Sequence, residues 1–336
     1  MDIPLGVLDH SWIFHGDTPA EAFRQTVQLA KRAEEWGYRR FWVSEHHDTP
    51  NIAGSSPEVL ISYLLANTAR IRVGSGGVML QHYSPYKVAE NFNALATLAP
   101  GRVDLGIGRA AGGLPRSTRA LRRGSGDIPD VADKLRELQR FLQVPPEGER
   151  PLAGLRAQPV PEIPAQIFML GASADSGKLA AELGLPYAYA LIINKDEDVA
   201  ARAFDHYRRA YRHGAGEQPR SLLALSVIVA DTEEEAARLA ADNVRIKFHL
   251  PDGLAYTAVT RQEAEAFIRR IGERYPTTVQ EAADVYGSPE SVRHRLLRLQ
   301  AKYGVDEFIV STVVADFAAR LRSYELLIQA VGRCTQ

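Results

Sequence analysis

Apolar and polar positions along this chain follow two periods that take turns from end to end. Short runs of period two, bounded by Gly, Pro, Asp or Ser, mark strands. Longer segments with apolar residues three and four apart mark helices. The pattern predicts strands near residues 3–9, 41–47, 71–80, 103–108, 166–171, 187–192, 222–230 and 307–311, each followed by helical sequence. The first helix start is explicit. Thr18 offers a cap, Pro19 suits the first helical position, Glu21 completes a capping box, and Gly37 ends the helix. Phe23, Val27 and Ala30, with Leu29, Ala33 and Trp36, supply its apolar spacing. Ser56-Pro57-Glu58, Ser84-Pro85, Thr232-Glu233-Glu234-Glu235 and Ser288-Pro289-Glu290 repeat the same grammar.

Strands interleaved with helices imply a parallel sheet, and a count of eight favours closure into a (β/α)8 TIM barrel. A doubly wound dinucleotide fold wants a glycine fingerprint after its first strand, whereas this chain continues Asp9-His10-Ser11-Trp12. No Ser- or Gly-rich linker divides the sequence. It therefore reads as one barrel domain over 1–336, with a Gly- and Arg-rich insertion near 110–130 and another of some helical character near 246–285. Barrel chemistry sits at the C-terminal ends of the strands. That rule gathers Asp9, His46, Gly76-Gly77, Arg109, Gly171 and Ser173 at one mouth.

Composition narrows the class. Hydrophobic residues at 45% and charged residues at 24% describe an ordinary globular chain. A formal charge of -1 gives no electrostatic ground for nucleic acid or an anionic membrane as partner. The arginines from Arg119 to Arg123 then belong to a solvated or anion-contacting loop. The single cysteine, Cys334, excludes an internal disulfide, a two-Cys redox centre and a Cys-rich metal site. The start Met1-Asp2-Ile3-Pro4-Leu5 lacks a signal peptide's basic and apolar regions, and no apolar run has membrane-spanning length. A cytoplasmic enzyme is the expectation.

Phe41-Trp42-Val43-Ser44-Glu45-His46-His47 carries the most chemistry. Phe41 and Val43 share a face suited to packing under helices, continued by Glu45 and His47; Trp42, Ser44 and His46 share the other. With that second face turned into the barrel, His46 is a general base, a hydrogen-bond donor to a ring, or a packed core histidine. His46 and His47 point apart, so they do not share an ion and no metal is expected. Gly74-Ser75-Gly76-Gly77 marks a bulge, either beneath a ligand or of register only. Asp104, Gly106 and Gly108 face inward, where a flat ligand can lie, and Arg109 either grips a phosphate or pairs with a carboxylate. Gly171-Ala172-Ser173-Ala174-Asp175-Ser176 opens a helix, as an anion site or as a plain N-cap.

Taken together, residues 42–47, 73–80 and 100–109 resemble the bacterial luciferase-like monooxygenase family. Leu170-Gly171-Ala172-Ser173 and Gly287-Ser288-Pro289-Glu290-Ser291-Val292 match in the family's order, so the likeness spans nearly the whole chain. The resemblance implies a (β/α)8 barrel with insertions that uses reduced FMN from a separate flavin reductase. Oxygenation of a small-molecule substrate by O2 would pass through a C4a-peroxyflavin. A homodimer is common in the family. By resemblance, His46 is the histidine beside the flavin, and Gly76 and Gly77 are joined by a non-proline cis peptide under its ring. Arg109, Ala172, Ser173 and Ser176 lie in the segments that hold the phosphate. Gly108 replaces a larger residue, which implies a roomier pocket. Leu80-Gln81-His82-Tyr83 departs from the Leu-Pro-Asn-His of many relatives, and the Arg-rich stretch after Arg109 suggests an anionic substrate. Two rivals are a deazaflavin-dependent dehydrogenase on the same barrel and a non-catalytic flavin-binding subunit. Retention of Glu45-His46-His47 speaks against the latter.

Overall fold

The computed structural model describes residues 3–109, 113, 115–123, 130–142, 154–211, 218–242, 244–249, 255–258, 261–271, 275–281 and 283–332. The chain begins with β1 (Leu5–Asp9), α1 (Pro19–Trp36), β2 (Arg40–Val43), α2 (Pro57–Asn67), β3 (Arg72–Met79), α3 (Pro85–Leu98) and β4 (Val103–Gly108). Then come α4 (Pro115–Leu121), α5 (Val131–Leu142), β5 (Gln166–Gly171), α6 (Ala174–Glu182), β6 (Tyr187–Ala190), α7 (Glu197–Ala210), β7 (Ser221–Val229) and α8 (Glu233–Asp242). After these follow β8 (Val244–His249), β9 (Ala255–Ala258), α9 (Arg261–Ile271), β10 (Thr277–Glu281) and β11 (Val285–Gly287). The described elements end with α10 (Pro289–Tyr303), β12 (Glu307–Ser311) and α11 (Phe317–Val331).

β1 to β7 pair in sequence, all parallel, and β12 bonds to both β7 and β1. The eight strands thus close into the expected (β/α)8 barrel. β11 is a short extra strand. It pairs with Val227 to Val229 of β7, beyond Ser226 where the pairing of β7 with β12 stops. The insertion near 246–285 has the expected helical character in α9 and is not helical throughout. Besides α9 it holds an antiparallel sheet in the order β10-β8-β9. Val244–His249 reads VRIKFH, a strict apolar–polar alternation, so the strand signal of β8 was present in the sequence.

The split of faces in β2 is as the alternation predicts. Phe41 and Val43 pack in the layer under the helices, whereas Trp42 joins Leu8, Phe168, Ala188, Leu222 and Ile309 inside the barrel. Below them lies an ionic floor. The fully buried Arg40 donates from Nε to Glu307 at 2.6 Å and also bonds Asp104. Asp104 accepts from Trp42 Nε1 at 2.9 Å and from Arg72 at 2.6 Å, and Arg220 reaches Glu307 at 2.6 Å. Asp104 therefore faces inward as expected but belongs to this floor, not to a ligand surface.

α1 shows how tertiary contacts override a periodic pattern. Thr18 accepts from Glu21 N, and Gly37 closes the helix at φ 92, where a side chain would be strained. The Glu21 carboxylate pairs with Arg24 rather than reaching back to complete the box. The buried face runs through Ala22, Gln25, Thr26, Leu29 and Ala33, leaving Phe23 37% exposed. Thr26 sets that rotation by donating at 2.6 Å to the buried Asp9.

Glu233 at the start of α8 accepts from Ser288 N at 3.0 Å and Ser288 Oγ at 2.6 Å, tying it to the cap of α10. Hydrogen bonds from Ser288 and Ser291 hold its carboxyl down at about 2, from an ordinary 4.5. A depressed carboxyl stabilises the fold above its unfolded value and loses that contribution as pH falls. The tie is expected to weaken between about pH 4.5 and 2. Thermal unfolding of Glu233→Gln should lose that part of the slope; an unchanged slope would show the tie contributes nothing.

Candidate functional site

β1 and β2 deliver the first half of the mouth. Ser44 N donates to the Asp9 carbonyl at 3.1 Å and His46 N to the Gly54 carbonyl at 2.9 Å, fixing the chain just past β2. Here the side chains form a row. His46 Nδ1 lies 3.1 Å from Ser44 Oγ, and Ser44 Oγ lies 2.8 Å from His10 Nδ1. The two rings meet edge to face at 5.6 Å between centroids. His10 escaped the sequence reading although its signal was present: Leu8 faces inward, so by alternation His10 does too. Asp9, placed at the mouth from sequence, faces the other way and accepts from Thr26 and Ser11.

Glu45 is a brace. Its fully buried carboxylate accepts from Met79 N at 2.9 Å and Tyr83 hydroxyl at 2.7 Å, and lies 2.7 Å from His47 Nε2. Burial, then the neighbouring Glu45, pushes the Tyr83 phenol well above its ordinary range. Glu45 and His47 thus fasten β2 to the end of β3, while His46 faces the interior side. Among the described residues no group of three or more His, Cys, Asp and Glu could hold a metal ion.

The peptide between Gly76 and Gly77 is cis, and the register of β3 against β4 shifts between Gly76 and Val78. These glycines are required by neighbours already present. A Cβ at Gly76 would meet Leu8 Cδ1 at 2.8 Å, and one at Gly77 would meet the Gly106 carbonyl at 2.7 Å. A Cβ at Gly108 would stand 3.1 Å from Met79 Sδ, so Met79 borders the space that the missing side chain leaves.

β4 and β5 deliver the second half. Arg109 is exposed, and no described carboxylate lies within ion-pair distance of it. The register Ile107↔Met169 sets it beside Gly171 on the next strand. Its charge acts on Tyr187, whose phenol burial drives well above its ordinary value while Ser176 and Arg109 pull it down. Ser173 caps α6 in a reciprocal box with Ser176. Ser176 is fully buried and its hydroxyl lies 2.6 Å from the Ser173 carbonyl and 2.9 Å from the Tyr187 hydroxyl. Ser176, expected from the sequence as a hydroxyl donor to the phosphate, here builds the turn from beneath. The Ala172 carbonyl accepts from Asn194 at 3.1 Å, a tether that no sequence signal marked. Residues 110–112, 114 and 124–129 of the Arg-rich stretch, and Cys334, lie outside the described residues.

A cavity of about 310 Å3, lined by Glu58, Val78, Tyr83, Lys87 and Phe92, lies on the outer side of the barrel between α2 and α3. It is not the mouth.

A closed parallel barrel with titratable and anion-seeking groups at its strand ends is the architecture of an enzyme. The chain belongs to the luciferase-like monooxygenase family, whose model matches residues 4–307. It is 41% identical to the N-acetyl-S-alkylcysteine monooxygenase of Bacillus subtilis (strain 168), covering 98% of each chain. It is 35% identical to a luciferase-like monooxygenase of Escherichia coli (strain K12), covering 96% of each. The solved structure of apo-MsnO8 superposes with a TM-score of 0.82 at 33% identity, covering 99% of this chain and 100% of that one. No described helix is long and apolar enough to cross a membrane.

Proposed function

We propose that this chain binds reduced FMN in the barrel mouth and oxygenates a small organic molecule with O2. One observation carries the reading: the His46–Ser44–His10 row on one side of the mouth faces an anion-seeking corner at Arg109 and the α6 N-terminus on the other. The donor set fits a phosphate-tailed ring. Arg109 has no described acid beside it, and a helix N-terminus adds partial positive charge and backbone donors.

Reduced FMN, when bound, supplies two electrons that let one oxygen atom enter the substrate while the other leaves as water. The protein's residues do the rest. Arg109, Ser173 and the turn through Ala172 hold the phosphate, and Ser176 keeps that turn in shape. Gly76 and Gly77 present bare backbone below the ring, and the apolar plug of Leu8, Trp42 and Phe168 excludes water from beneath. His46 manages a proton. Ser44 has one hydroxyl hydrogen, so it donates to one histidine and accepts from the other. If His10 donates and Ser44 passes the bond on, His46 carries its hydrogen on Nε2; in the reverse order Nε2 is a base. His46 Nε2 is thus an acid in one order and a base in the other.

The 41% identical N-acetyl-S-alkylcysteine monooxygenase makes a cysteine thioether the first substrate class to try. A separate flavin reductase and a homodimer complete the reading. Anaerobic titration tests its core. Arg109→Ala is expected to weaken FMN about tenfold or more and to leave riboflavin unchanged. Equal losses for both would make Arg109 structural. Tight binding of reduced deazaflavin in place of FMN would favour the dehydrogenase, and FMN binding without oxygen consumption across a thioether panel the non-catalytic subunit.

A further inference from the structure

A second group of cations stands at the mouth on the opposite side of β4 from the α6 corner. Arg122 follows α4, its amide donating to the Thr118 carbonyl at 3.0 Å. Its half-buried guanidinium bonds the Gln81 side-chain oxygen, and Gln81 Nε2 donates to the Arg109 carbonyl at 3.3 Å. Lys134 of α5 lies beneath. Its ammonium is buried and donates to the carbonyls of Gln81 at 3.1 Å and Tyr83 at 2.9 Å. Burial, and next the charge of Arg122, lower its pKa, with Glu137 opposing.

Neither Arg122 nor Lys134 has a carboxylate within ion-pair distance among the described residues, and Arg122 Nε is buried without a partner. Arg116, on α4, is by contrast bound to Asp48. Like charges gathered without a counter-ion cost stability unless an anion completes the group.

We infer that Arg122, oriented by Gln81 and backed by Lys134, receives a carboxylate of the substrate, which makes the substrates organic acids. A planar guanidinium matches a carboxylate, and Gln81 fixes the plane of the fork. The inference rests on the proposed monooxygenase reading for its substrate but not for its anion.

Calorimetric titration of the full-length protein with N-acetyl-S-methylcysteine and with its methyl ester tests it, alongside an FMN titration of the same samples. The acid is expected to bind wild type and the ester to bind at least about tenfold more weakly. Arg122→Gln should erase that difference, Arg122→Lys should keep part of it, and neither should alter FMN affinity. The inference is overturned if acid and ester bind alike, if the acid does not bind, or if Arg122→Gln keeps the preference. Loss of FMN in Arg122→Gln would overturn it too, by assigning the cations to the cofactor. Wild type that prefers the acid yet ignores FMN would refute the cofactor reading while leaving the carboxylate site standing.

Discussion

His46→Ala is expected to cut turnover by about 10²- to 10⁴-fold, the range for removing a positioned proton-transfer group, with FMN affinity retained. The geometry extends the expectation to residues behind it. Ser44 Oγ is the shared atom between His46 and His10, so Ser44→Ala breaks the row while leaving both rings in place. Its loss should show chiefly in the turnover number. Residues acting as a unit are non-additive, so Ser44→Ala combined with His10→Ala should be little worse than either single change. A fully additive double variant, or undiminished turnover in His46→Ala, would show that the row only packs.

The second large effect concerns the barrel floor. Asp104→Ala should destabilise the fold by about 3–5 kcal/mol, the usual cost of leaving a buried charge without its partner. Asp104 bonds Arg40, Arg72 and Trp42, and Arg40 and Asp104 are both 0% exposed, so no solvent can replace the lost carboxylate. The exposed pair of Arg24 and Glu21 gives the contrast: Arg24→Ala should cost below about 1 kcal/mol. Denaturant unfolding separates the cases. A loss under about 1 kcal/mol for Asp104→Ala would mean that the ionic floor is slack.

The barrel was legible because its strands carry their own period and their helices their own caps. β4 and β5 fall where the pattern put them, and Thr18, Ser173 and Ser288 all cap. What stayed hidden was long-range. Nothing near Arg40 in sequence marks Glu307 as its partner, because the two meet only when β12 closes the ring between β7 and β1. The face that α1 buries depended on the Asp9–Thr26 bond, and period alone favoured Phe23. Within the site, local reading singled out His46, Arg109, Ser173 and Ser176 as candidates. A capping box and an anion site look alike in one dimension, so the burial of Ser176 was not legible there. His10 was overlooked for a different reason: its alternation was readable, but His46 drew the attention.

The central claim is that a phosphate-tailed flavin lies across this mouth between the α6 corner and the His46 row. A crystal structure of the FMN complex tests it most directly. The account predicts the phosphate within hydrogen-bond distance of the Arg109 guanidinium and Ser173, with the ring above Gly76-Gly77 and facing His46. A phosphate bound at Arg122 and Lys134, or a ring turned away from His46, would contradict it.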